Sequence, residues 1–211
     1  MTKLRTDLDV YVYRRGWPKF TWVFIPLLFL ETWPILSYRY GNWVFKKVRV
    51  PIIRQLLTLI GFFLKNLTVI LTNVSISERA EIGKGLFIAH VGTIVVSHHT
   101  KIGDYCSIHQ GVTCGGAGRG DLYGGPTIGN YVYIGAGAKV LGKITVGDNT
   151  LIGANAVVVH DTESYTSVGG IPAHFINNKG SEGWIHFRPA KINKGQIQDN
   201  VIPEENNRPV G

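Results

Sequence analysis

The 211-residue sequence predicts a mainly β fold, a left-handed parallel β-helix of hexapeptide repeats with a small α-helical segment in front of it. Two observations carry this expectation. An aliphatic or small apolar residue recurs every six positions, at Ile76, Ile82 and Ile88, then Val96, Ile102, Ile108 and Cys114, then Ile128, Ile134, Val140, Val146, Ile152 and Val158. The fourth residue after a start is small or apolar, as at Ala80, Cys106, Val112, Val132, Ala138, Thr150 and Ala156. Each six-residue strand then turns a corner into the next, three strands make one triangular coil, and the apolar residues stack inside on those of the coil below.

Residues 1 to 75 precede the repeats and hold eleven Lys and Arg against three Asp and Glu, so the whole formal charge of +8 sits there. The same segment is rich in Trp, Phe, Leu and Ile, which points to an anionic membrane surface and away from nucleic acid; peripheral membrane contact through residues 1 to 75 is expected. Asp7 and Asp9 interrupt the start where a secretory signal needs a basic region leading into an apolar one, so export is not expected. The longest uncharged stretches, 20–30, 55–64 and 66–77, fall short of the roughly 18 residues that suggest a spanning helix. From Pro51 the run PIIRQLLTLIGFFLK predicts a helix with proline in its first turn and one polar stripe, Arg54, Thr58, Gly61 and Lys65. Its broad apolar face is expected to pack against neighbours or a partner subunit. A second helical stretch is expected over 20–46, interrupted near Pro34.

The repeats, residues 76 to 176, break period twice. Ile88 to Val96 spans eight residues and Cys114 to Ile128 fourteen, so loops are predicted around 90–93 and within 115–127, where a rigid scaffold tends to carry its chemistry. Residues 177 to 211 are polar and dotted with proline, and an irregular tail is expected, with Trp184, Ile185 and Phe187 covering a neighbouring subunit. The two cysteines, Cys106 and Cys114, have neither CxxC spacing nor a histidine at zinc-finger distance, so no disulfide, no metal and a cytoplasmic location are expected.

Three strands per coil place Ile108 over Ile88, Ile134 over Ile108 and Ile152 over Ile134. His90, Gln110, Ala136 and Ala154, each two residues after those starts, then form a column with steps of about 4.8 Å. Gly135 and Gly153 precede the two alanines, which leaves room for a narrow ligand arm. A histidine below such a track suits acyl transfer, its imidazole taking the proton of a hydroxyl that attacks a thioester carbonyl. Backbone N–H groups of Gly115 and Gly116 are candidates to receive the negative charge on the carbonyl oxygen. No serine or cysteine stands beside His90 as an acyl carrier, so the two substrates are expected to react directly. His109 and Gln110, with Asp121 and Tyr123 of the second loop, are candidates for the acceptor side, while His160 and His174, past the top of the column, are candidates for CoA phosphates. His98 and His99 fall on a different edge and are expected to be solvated.

The segments IGKGLFIAHVGTIVV, SIHQGVTCGGAGRGDLYGGPTIG, YIGAGAKVLGKITVGDNTLIGANAVV and SVGGIPAHFI resemble serine acetyltransferases and related polysaccharide-modifying acetyltransferases. The resemblance covers about residues 74 to 176 and implies acetyl-CoA as co-substrate and a homotrimer, with a dimer of trimers as a variant, holding acetyl-CoA between subunits. It implies His90 as the catalytic histidine and Gly116, Gly135, Ala136 and Ala154 as acetyl-CoA positions. The carboxylate that orients the catalytic histidine in the family falls on Ser75, the aspartate before that histidine on Ala89, and an Arg-His pair of the loop on Gly124-Gly125. With those groups gone, the expected acceptor is a carbohydrate, a sugar hydroxyl of a surface polysaccharide or its lipid-linked precursor. The alternatives are a serine O-acetyltransferase with groups such as Asp104 or Asp121 standing in, and a non-catalytic scaffold.

Overall fold

The computed structural model describes residues 2–185 and 187. Helices come first: α1 (Lys3–Arg14), α2 (Ile25–Leu28), α3 (Trp33–Lys47) and α4 (Pro51–Thr72), with 3-10 turns at Lys19–Val23 and Leu30–Thr32. The second helical stretch is interrupted just before Pro34, near where the sequence places the break. Proline lacks the N–H that a first turn leaves unpaired, and Pro34 lies in the first turn of α3.

From Val74 the chain forms the predicted parallel β-helix. The first face stacks Val74–Ile76, Ile94–Val96, Thr113–Gly115, Lys139–Leu141 and Val157–Val158, and the second stacks Glu81–Ile82, Lys101–Ile102, Thr127–Ile128 and Thr145–Val146. The third stacks Phe87–Ile88, Ser107–Ile108, Tyr133–Ile134, Leu151–Ile152 and Ser167–Gly169, closed by His174–Asn177 running antiparallel. Ile88, Ile108, Ile134 and Ile152 pair in register, as the period predicts, and Val168 continues the row. The repeats thus outlast Val158, where the sixfold pattern fades from the sequence. Ile88, Ile108, Ile134 and Ile152 are buried to within 1% of full exclusion, as are the corner residues Ala80, Cys106, Val112, Val132, Ala138 and Ala156.

The helices close the lower end of the solenoid, where the first coil would leave strand edges unpaired. Tyr11 Oη donates to Ile88 O and accepts from Ile88 N, while Tyr38 Oη donates to Ala80 O and accepts from Ile82 N. Asp7, fully buried, accepts the Leu86 N–H and pairs with Arg39 at 2.7 Å; Arg39 in turn donates to Ile82 O and Gly83 O. Side chains therefore satisfy backbone groups that a further coil would have taken.

In α4 the stripe that meets the protein is the polar and small one. A Cβ on Gly61 would lie 3.1 Å from the Tyr40 ring, Lys65 pairs with Glu78 at 3.0 Å, and Thr68 and Thr72 are buried. The apolar face expected to be packed away is exposed in this chain, from Ile52 (80%) to Ile70 (79%). The helix is also longer than its uncharged stretches suggest: 22 residues, enough by length and composition to cross a membrane. At the other end, Trp184 and Phe187 make aromatic contacts within their own chain, and Trp184 keeps 54% of its surface exposed. The Trp184 ring lies tilted 5.1 Å from that of Tyr133, and the Phe187 ring stands edge-on to Tyr13 at 5.1 Å and tilted against Tyr105 at 5.6 Å. Residues beyond 187 of the expected irregular tail lie outside the described residues.

Candidate functional site

Each coil has three corners, and most of the candidate residues divide between two of them. Between the third and first faces lie His90, Gln110, Ala136 and Ala154. The coils are tied together along this corner by Gly111 N–H donating to Gly92 O, Gly137 N–H to Gln110 O and Asn155 N–H to Ala136 O. His90 is exposed at the lower end, Ala136 is half-buried and Ala154 exposed. The first period break shapes this end. Val91 packs on the core, Gly92 adopts φ +124°, a conformation other residues rarely take, and Asn73 Nδ2 donates to Thr93 Oγ1 at 3.1 Å. Ser75, in the strand paired with Ile94–Val96, is half-buried.

Gly135 has a packing reason for its missing side chain: it is buried, and a Cβ there would come within 2.7 Å of Ala154 N in the next coil. The open surface of the column is therefore that of Gln110, Ala136 and Ala154. His174 pairs with Gly169 above Gly153, which puts it at the upper end of the third face.

His109 sits one residue inside the column, its ring 6.5 Å from that of His90 and 4.7 Å from that of Tyr133. Its Nε2 is buried with no hydrogen-bond partner among the described residues. Burial lowers its pKa below the ordinary histidine value, and the neighbouring His90 and Arg14 push in the same direction. His109 is thus a neutral imidazole beside His90 at neutral pH. Arg14, at the end of α1, lies with its guanidinium 4.4 Å above the Phe87 ring. Arg14 and Trp184 belong to this neighbourhood but lie outside the repeats, so no periodicity could have indicated them.

The second loop leaves from the next corner, between the first and second faces, at the far end of the first face from His90. Gly116, Asp121, Tyr123, His98, His99 and His160 all gather there. The Tyr123 ring stands 5.3 Å from His99, His99 lies 3.9 Å from His98, and a Cβ on Gly116 would meet Tyr123 Oη at 2.9 Å. A single chain therefore does not bring Gly116, Asp121 or Tyr123 to His90, nor His160 to the top of the column. Counting six-residue strands gives the corner from which each loop leaves but not what another copy brings to face it. Asp104 belongs to the third corner. It accepts the Lys84 N–H, and Asn130 and Asp148 repeat that bond in the coils above. Both cysteines are free and buried, and burial pushes each thiol up to about 12. Neither can serve as an acyl carrier.

A parallel triangular solenoid of six-residue strands, with a histidine under a column of small residues, defines the class of hexapeptide-repeat transferases. The family model described as bacterial transferase hexapeptide (six repeats) matches residues 125–160. The serine acetyltransferase of Helicobacter pylori is 41% identical over 150 residues, which cover 71% of this chain and 83% of that protein. That of Synechococcus elongatus is 40% identical over 146 residues, 69% of this chain and 57% of that protein. Among solved structures, the Brucella abortus serine acetyltransferase in complex with coenzyme A is 32% identical with a TM-score of 0.68, over 84% of this chain and 67% of that one. The Neisseria gonorrhoeae serine acetyltransferase in complex with serine is 30% identical with a TM-score of 0.68, over 83% of this chain and 68% of that one. The chain belongs to the serine acetyltransferase family. It spans 57% of the Synechococcus relative and 64% of the Staphylococcus xylosus one.

These relatives overturn the expectation of a sugar acceptor, because matches at 38 to 46% identity are serine acetyltransferases. That expectation rested on groups missing at Ser75, Ala89, Gly124 and Gly125. An absent group says what a site lacks and does not say which other acceptor it holds.

Proposed function

We propose that the chain transfers the acetyl group of acetyl-CoA to the side-chain hydroxyl of L-serine, giving O-acetyl-L-serine and CoA. One observation carries the reading: on a chain of this family, His90 stands at a period break at the foot of a column whose upper members are the alanines Ala136 and Ala154. The His90 imidazole takes the hydroxyl proton as the serine oxygen attacks the thioester carbonyl. The tetrahedral intermediate collapses with loss of the CoA sulfur, which receives that proton from the imidazolium. The pantetheine arm runs along Gln110, Ala136 and Ala154, with Gly135 shaping the backbone behind them and His174 near the phosphates. The free, buried cysteines agree with a reducing, cytoplasmic setting.

The distribution of residues over two corners supports a site shared between copies in a homotrimer. The second loop of one subunit, with Gly116, Asp121 and Tyr123, then faces His90 of the next, and His160 comes with that loop. Asp121 is the acid proposed to meet the serine ammonium, while Asp104 is committed to its corner ladder and has no part in the reaction.

Thiol release from acetyl-CoA by the purified chain tests this, with and without L-serine. Serine-dependent release that falls by about a hundredfold or more in His90→Ala is expected. Release indifferent to serine, or retained without His90, overturns the proposal.

A further inference from the structure

The outer face of α4 is an unusual surface for a protein helix. In a helix resting on a globular body the apolar stripe normally faces inward. Here the inward side carries Gly61, Lys65, Thr68 and Thr72, with Leu57 and Val69 half-buried beside them, and only 11% of the most apolar 18-residue stretch is buried. Small and hydroxyl-bearing residues toward the protein and aliphatic residues outward is the arrangement of helices that meet lipid.

The charge around this face matches one kind of surface. Lys46, Lys47, Arg49 and Arg54 are exposed within nine residues at the junction of α3 and α4, among the exposed Trp43, Phe45 and Val50. The acids of residues 1 to 75 do not offset them. Asp7 is buried on Arg39, Asp9 is paired with Arg5 at 2.9 Å, and Glu31 lies in the turn before α3. Between α1, α3 and α4 opens a groove of about 970 Å³, walled by Trp33, Leu36, Tyr40, Trp43 and Leu64, with Lys46 and Lys47 also lining it. Apolar walls beside cations suit an acyl chain below an anionic headgroup.

We propose that α4 and this groove form a docking surface for an anionic phospholipid bilayer, which holds the solenoid at the membrane with its catalytic column in water. The reading does not depend on which acceptor is acetylated. Arg54 and the α3–α4 junction supply the attraction, and the row from Ile52 to Ile70 supplies the apolar contact.

Flotation of the full-length chain with vesicles tests it, comparing phosphatidylglycerol–phosphatidylcholine mixtures with phosphatidylcholine alone, and low with high salt. Two variants accompany the parent chain: Lys46→Glu/Lys47→Glu/Arg49→Glu, and Ile52→Glu/Ile70→Glu. All the altered residues are exposed, and acetyl-CoA thiol release serves as the control that each variant is folded. The chain is expected to float with anionic vesicles in low salt, with binding reduced about tenfold or more by charge reversal and also reduced by the paired isoleucine substitutions. Failure to float with anionic vesicles overturns the proposal, as does flotation that neither variant alters. So does a paired-isoleucine variant that lowers the oligomeric mass without lipid while floating as before, because a second copy would then cover the face.

Discussion

His109 shows how one side chain ties the solenoid to the reaction. Its lowered pKa means that the folded chain favours the neutral ring, whereas the unfolded chain releases it to the ordinary histidine value. Below that ordinary value the unfolded state binds the proton more readily, so stability is lost as pH falls through it, and above it His109 imposes no penalty. Thermal unfolding between pH 7 and pH 5 is expected to show a fall in Tm that shrinks in His109→Leu. A fall of the same size in the variant would assign it to other groups. At the lower end, Tyr11→Phe removes two hydrogen bonds from the buried Ile88 peptide groups and is expected to cost about 1–3 kcal/mol in denaturant unfolding. His90, Gln110, Ala136 and Ala154 were legible from spacing alone. The cluster His109, Tyr133, Arg14 and Trp184 was only partly so, because two of its members come from outside the repeats.

At the scale of elements, the sixfold period fixed the register of the third face, since a one-residue slip would turn Ile108 and Ile134 outward and leave polar residues inside. Ile134→Ala is expected to cost about 2–5 kcal/mol, because the coils on either side hold its walls in place. The column makes a different demand. Ala154 is exposed, so Ala154→Trp is expected to leave Tm nearly unchanged while raising the KM for acetyl-CoA about tenfold or more by filling the track. An unchanged KM would remove Ala154 from the site. The last coil, with Val168 in its row, was hidden because the loop before it breaks the count. The inside-out packing of α4 was hidden because periodicity identifies the polar stripe but not which side of a helix the protein takes.

For the whole molecule, the separation of the two corners becomes a statement about assembly. From the sequence, Gly115, Gly116, Asp121 and Tyr123 of the second loop were expected at the reaction with His90, and in one chain that loop stands at the other end of the first face. If copies share the site, a mixture of His90→Ala subunits with Gly116→Trp subunits, each inactive alone, regains part of the parent activity after co-refolding. No recovery in verified mixed oligomers would mean that each chain works alone. The acceptor was the least legible feature: Ser75, Ala89, Gly124 and Gly125 record lost groups, and relatives had to correct the sugar reading drawn from them.

The most direct test of the column is a crystal structure of the chain with CoA bound. The pantetheine arm is expected along Gln110, Ala136 and Ala154, with the sulfur about 3–4 Å from the His90 imidazole or one water away. CoA lying elsewhere, with its sulfur remote from His90 of every copy, would contradict the assignment of the site.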